Sequence, residues 1–183
     1  LSLSLSLSLS LFRSLSSSSF SPPTLSPSFF LVRATGTICE GPDPEQLGPA
    51  IQQSMPHLLA TVHRDTIVLV QDTTVWVIGR FCELHFDLIP VALHEQMLTV
   101  LIEGLKKSPQ VAHQACFAMN SIALHCGDAP AGSVPRSTEM YKLALQMLVT
   151  CADRPDREEA DLRVAAYVFF YLPLHFTRIM LTI

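Results

Sequence analysis

The sequence predicts an all-α protein, an α-solenoid in which helix pairs stack into a right-handed superhelix. Three observations predict it. Between Gln46 and Tyr167, apolar residues recur at a helical period. Proline and polar clusters cut that pattern into segments of about 15–20 residues. Equivalent positions then return after roughly 40 residues, the spacing of stacked repeats.

The breaks come first, because they set the elements. They fall at Gly41–Pro44, His63–Thr66, Leu88–Pro90, Lys106–Pro109, Cys126–Pro135 and Asp153–Asp156. In the first segment Ile51, Met55, Leu58, Leu59 and Val62 fit one helical stripe. In the second the stripe is Ile67, Val70, Thr74, Val77, Ile78, Phe81 and Leu84. This segment is β-branched over Thr66–Val70 and Thr73–Ile78, which suits strands on propensity alone. Asp72 lacks the glycine partner of a two-residue hairpin turn, and the stripe decides for helix. Met97, Val100, Leu101, Gly104 and Leu105 mark the third segment. Val111, Ala115, Ala118, Ile122 and Cys126 mark the fourth, and Met140, Leu143, Met147 and Cys151 the fifth.

These segments pair. Leu58 and Leu101 hold the same place in successive first helices, 43 residues apart. Trp76 and Phe117 hold the same place in successive second helices, 41 apart. Paired helices at this period are the signature of HEAT or armadillo-like arrays. A third pair, from Ser133, is offset by a longer loop, which puts 50 residues between Phe117 and Tyr167.

The two ends differ from this middle. Residues 1–30 hold thirteen Ser and eight Leu, opening on strict Leu-Ser alternation, with Arg13 as the sole charge. A signal peptide would need a basic start and a continuous apolar run. The alternation has the form of a translated CT-dinucleotide repeat, so residues 1–32 are expected to be low-complexity, disordered or intron-derived. Transcript sequencing that reads the repeat into mature message would exclude the intron origin. Residues 168–183 form an apolar tail. Pro173, His175 and Arg178 sit inside it and oppose a membrane-spanning helix. The repeat segment is expected to cover residues 34–167.

Composition excludes several functions. Past Phe30 the chain carries 11 basic and 16 acidic residues, with no basic cluster. Nucleic-acid binding needs such clusters to neutralise phosphates. Five Cys without close sequence pairs make no disulfide framework. His113 and Cys116 lie one turn apart, and His125 and Cys126 are adjacent, but Cys-x-x-Cys and His-Glu-x-x-His are missing. No metal or other cofactor is expected. Gly-x-Ser-x-Gly and a phosphate-cradling loop are also missing, so the sequence does not read as an enzyme. Glu158, Glu159 and Asp161 suit a helix N-terminus.

Several blocks carry a resemblance. They are Cys39-Glu40-Gly41-Pro42, Gln53 to Pro56, the run from Gln71 through Asp72-Thr73-Thr74-Val75-Trp76 and Gly79-Arg80 to Leu84, Leu101 to Leu105, Val111 to Ser121, and Asp153 to Asp156 with Leu162-Arg163. In order and without rearrangement, they resemble the middle HEAT repeats of the importin-beta family of nuclear import receptors. The resemblance implies binding to the basic segment of the importin-alpha adaptor or to cargo nuclear localisation signals. It also implies residence in cytoplasm and nucleus and at the nuclear pore. The family's Ran GTPase and Phe-Gly nucleoporin contacts lie mostly on more N-terminal repeats, so neither is expected of this segment alone.

The resemblance implies that the second helices line the inner wall. Asp72, Trp76, Arg80 and Glu83 recur at i, i+4, i+8 and i+11 and share a helix face. An aromatic flanked by carboxylates suits a Lys- or Arg-rich peptide. By the resemblance, Phe117 stands where the family has a second inner tryptophan, and Gln114 where it has Asn. Asp72, Trp76, Arg80, Glu83, Gln114 and Phe117 are thus the candidate partner-binding residues, with Arg80 also able to order Glu83. The competing reading buries Trp76 as a core aromatic and leaves Asp72 as a solvated helix acid. The rival functions are a general HEAT scaffold and a small helical metalloprotein.

The resemblance also implies a ladder between repeats, an Asp in each intrahelix turn paired with an Arg of the next helix. Asp65 is present, but Gln71 replaces the Arg, Ser108 and Gln110 take the two places in the next repeat, and Arg163 remains in the third. Weak coupling between repeats is expected.

Overall fold

The structure is a computed structural model that describes residues 27–39, 41, 43–127, 146–156, 162 and 164–165. It contains α1 (Pro27–Ile38), α2 (Pro44–Arg64), α3 (Val68–Leu84), a 3₁₀ turn (Phe86–Leu88), α4 (Val91–Gly104) and α5 (Pro109–Gly127). Residues 146–152 are also helical. No strand occurs among the described residues. The β-branched segment is α3. Its Thr73 and Thr74 hydroxyls donate to the carbonyls of Leu69 and Val70, four residues back, which satisfies two buried polar groups inside the helix.

Two layers result. α1, α3 and α5 lie side by side in one layer, while α2 and α4 are neighbours in the other. Each α2–α3 and α4–α5 pair closes a repeat. The core runs between the layers. Ile51, Met55, Leu58, Leu59 and Val62 of α2 are buried, as are Val77, Ile78 and Phe81 of α3 and Met97, Val100 and Leu101 of α4. Ile67 and Leu84, at the ends of the expected α3 stripe, are exposed.

Helix α1 corrects one boundary. It begins at Pro27, inside the stretch the sequence sets apart as low-complexity up to residue 32. Phe29, Val32, Gly36 and Cys39 are buried, one turn or two apart, and form the apolar stripe of a packed helix. The serines and prolines before them mask that stripe in the sequence. Residues 1–26 and the tail 168–183 lie outside the described residues, as do Met140, Leu143, Glu158, Glu159, Asp161, Tyr167 and the remaining ladder arginine, Arg163.

Local chemistry explains the ends of α2. The Asp43 carboxylate accepts from the Glu45 N–H at 3.1 Å, Pro44 takes the first turn, and His63 and Arg64 lie in the last turn. Pro49 and Pro56 sit inside the helix without ending it. The carbonyls they release belong to Glu45 and Gln52, both on the exposed side where water reaches them.

The ladder between repeats takes a different chemical form from the one expected. Gln71 Nε2 stays within its own repeat and donates to the carbonyls of Asp65 and Val62. The link to the next repeat comes from Lys107, whose Nζ donates to the Val62 carbonyl. Arg154 does the same one repeat on, reaching the carbonyls of Leu105 and Lys107. The end of each first helix thus offers carbonyls to a cation from the following one. Carbonyls at a helix C-terminus lack intrahelical donors and carry partial negative charge, so this contact is favourable. Replacing Lys107 by Met should cost about 1.5–3 kcal/mol, the range of a charge-assisted hydrogen bond. Urea unfolding of the variant measures it; an unchanged midpoint would mean the ammonium is better solvated than bonded.

Candidate functional site

The candidate face lies on the layer of second helices. On α3, Asp72 and Trp76 stand one turn apart and are half-buried; on α5, Gln114 and Phe117 repeat that arrangement. Gln114 lies near enough to Asp72 across the two helices to favour its charged form. Burial pushes the Asp72 carboxyl above its ordinary range; Gln114 and the charges of His113 and Arg33 oppose that shift. Its neighbours therefore only partly compensate the carboxylate charge.

The aromatics are placed by glycines. A Cβ on Gly36 of α1 would lie 2.3 Å from Cζ3 of the Trp76 indole. A Cβ on Gly79 of α3 would lie 3.0 Å from Cδ1 of Phe117. Each second helix thus carries a notch for the aromatic of the next. Trp76 packs against the core through that contact yet stays partly exposed. It combines both readings of the sequence, a packed aromatic with an open edge.

Arg80 and Glu83 form an ion pair within α3, so Arg80 orders Glu83. The Glu83 carbonyl meets His125 Nε2 of α5 at 3.2 Å. Phe86 stacks against His94 and His125, with centroids at 4.8 and 5.4 Å, and ties the 3₁₀ turn to both neighbouring helices. Sequence reasoning missed Arg33, Gly36, Gly79 and His113. A signal was there: Gly36 and Gly79 are 43 residues apart, the same spacing as Leu58 and Leu101.

Comparison with known proteins fits this geometry. Residues 30–81 match the family model described as HEAT-like repeat. Importin subunit beta-1 of Arabidopsis thaliana is 31% identical over 140 residues, which cover 73% of this chain and 16% of that protein. Over that stretch the chain is similar to importin subunit beta-1. Importin subunit beta-1 of Schizosaccharomyces pombe is 27% identical over 128 residues, 69% of this chain and 15% of that protein. The structure of yeast importin-beta superposes with a TM-score of 0.77 at 22% identity, covering 90% of this chain and 18% of its own. A crystal structure of importin beta in an ammonium sulfate condition gives 0.74 at 24%, covering 88% and 18%. The chain spans about a sixth of the length of the curated relatives it matches. Its fold is an all-α solenoid of HEAT-like repeats.

Proposed function

We propose that the chain is part of a nuclear transport receptor. Its second-helix face would bind a Lys- or Arg-rich peptide, as in the importin-alpha adaptor or a cargo localisation signal. The observation that carries this reading is Asp72, half-buried beside the open edge of Trp76 and only partly compensated. A cation placed there recovers the electrostatic energy that burial withholds from Asp72, and the indole stacks on a guanidinium. Such a receptor works by binding rather than catalysis and moves between cytoplasm and nucleus. One yeast relative is described as inducing the switch loops of RanGDP to adopt the GTP-bound conformation. In our reading that contact and nucleoporin binding belong to other repeats of a full-length receptor.

The test separates binding from stability. Asp72→Asn keeps the shape and removes the charge. Affinity for a fluorescent Lys/Arg-rich peptide, read by anisotropy, should fall about tenfold, the loss of one charge-assisted contact. The same peptide with glutamines in place of its cations should bind neither protein. Stability should move the other way. A carboxyl whose pKa is raised on folding loses stability as pH rises from its unfolded value through the raised one, so the penalty is present once pH exceeds the raised value. Asp72→Asn should therefore unfold at the same or a higher temperature at pH 7. Equal peptide affinity would defeat the proposal.

A further inference from the structure

The fold brings together two cysteines that the sequence holds 35 residues apart. Cys116 lies on α5 and Cys151 on helical residues 146–152, the first helix of the next pair. Their sulfurs are 4.0 Å apart, with the Cys116 thiol donating to the Cys151 sulfur. Both side chains are buried, at 0% and 2% exposure. A pocket of about 420 Å³ reaches Cys151 but not Cys116, and its wall includes Leu105, Met147, Thr150, Arg154 and Asp156. Its volume admits a small solute to the Cys151 side.

The two sulfurs are not equivalent. The hydrogen bond from Cys116 and the positive charge of Arg154 draw the Cys151 thiol below its ordinary pKa, although burial and the Asp156 carboxylate paired with Arg154 oppose them. The same bond, with burial, pushes the Cys116 thiol up. The pocket reaches the Cys151 sulfur alone and Cys116 donates to it, so Cys151 is the nucleophile and Cys116 the thiol held beside it. Cys82 is a contrast within the same chain. It packs against Met97 Sδ at 3.6 Å, and burial alone pushes its thiol up. Among the described residues no group of three potential metal ligands forms.

We propose that Cys116 and Cys151 are a hydroperoxide-reactive dithiol that closes to a disulfide between consecutive repeats. The Cys151 thiolate attacks one oxygen of the hydroperoxide. The S–O bond forms, the O–O bond breaks, and the other oxygen leaves with a proton as an alcohol or water. The Cys116 sulfur then attacks the Cys151 sulfenic acid. The S–S bond forms, the S–O bond breaks, and the departing hydroxide takes the Cys116 proton as water. Two thiols are oxidised by two electrons and one hydroperoxide is reduced. The sulfurs must approach by about 2 Å to reach bonding distance. Closure therefore draws residues 146–152 towards α5 and ties two repeats that otherwise meet only through non-covalent contacts. The proposal is independent of peptide binding.

The test uses the full chain and hydrogen peroxide in stepwise doses, each quenched with an alkylating agent in denaturant. Before alkylation intact mass should fall by two hydrogens, after it the protein should carry two fewer alkyl groups, and peptide mapping should find Cys116 linked to Cys151 before Cys39 or Cys82 is consumed. Cys151 should be lost at least about tenfold faster than Cys82, following its greater thiolate character. Cys116→Ser should stop at Cys151 with one added oxygen, captured by dimedone. Cys151→Ser should leave Cys116 unreacted over the same doses. Circular dichroism establishes that each variant keeps its helices, and the wild-type map decides the matter if a variant does not. The proposal is overturned if both cysteines stay alkylatable after Cys39 has oxidised. It is equally overturned if Cys116 reacts at the wild-type rate in Cys151→Ser.

Discussion

Replacing Gly36 by Val should lower the thermal midpoint by about 5–10 °C and shift the tryptophan emission to the red. The size follows from the contact. An added Cβ meets Cζ3, Cη2 and Cε3 of Trp76 at 2.3, 2.9 and 3.0 Å. These are three atoms of one rigid ring, so no single bond rotation at the tip relieves the clash; the indole must move as a whole or α1 must lift away from α3. Overpacking of this kind costs about 1–3 kcal/mol, occasionally more, and a kcal/mol is worth about 2–4 °C in a chain of this length. Gly36→Ala sharpens the argument. Alanine is the better helix former by about 1 kcal/mol, so any net loss with alanine shows that the clash outweighs propensity. Trp76 is the sole tryptophan of the chain, which makes its emission a direct report on this notch. Gly79→Ala, whose nearest contacts are at 3.0 to 3.4 Å, should lose less. A raised midpoint with unchanged emission in Gly36→Ala would mean that the ring does not rest on Gly36.

The same notch shows what the sequence carried and what it withheld. Helices α2 to α5 were legible because their stripes are long and their breaks are proline or polar clusters. Buried Ile51, Met55, Leu101 and Val111 lie where the helical period puts them. Helix α1 was hidden because its stripe starts among serines and prolines, which compositional reasoning discounts. The half-burial of Trp76 was illegible for another reason. Spacing assigns a residue to a helix face, but whether that face is open depends on the side chain missing from the neighbouring helix, here at Gly36. The ladder was misjudged because the expectation looked for Asp and Arg partners. Carbonyl oxygens at helix ends have no residue type, so Lys107 on Val62 and Arg154 on Leu105 leave no pairwise mark in the sequence. The Cys116–Cys151 approach depends likewise on how one repeat seats on the next.

Arg154→Met should destabilise the chain by about 2–4 kcal/mol while keeping most of the side chain's apolar stem in place. The guanidinium donates to two backbone carbonyls, Leu105 and Lys107, and pairs with Asp156 at 2.6 and 2.8 Å. Methionine leaves the carbonyls without a donor in a part-buried place, and the penalty for an unmet acceptor exceeds the net worth of the bond. Arg154→Lys should recover less than half of the loss. One ammonium cannot reproduce a planar fork that spans two carbonyls and a carboxylate. The distribution of the damage is the stronger test. In a stacked array each repeat contacts only its neighbours, so the energy is lost at one junction. Hydrogen exchange should therefore accelerate in residues 146–152 and the last turn of α4, while α2 and α3 keep their protection. Uniform acceleration across all helices would mean the repeats unfold as one unit and the Arg154 contact is not a local coupling. The variant also bears on the dithiol, because removing the cation beside Cys151 should slow its reaction with peroxide while leaving Cys82 unchanged.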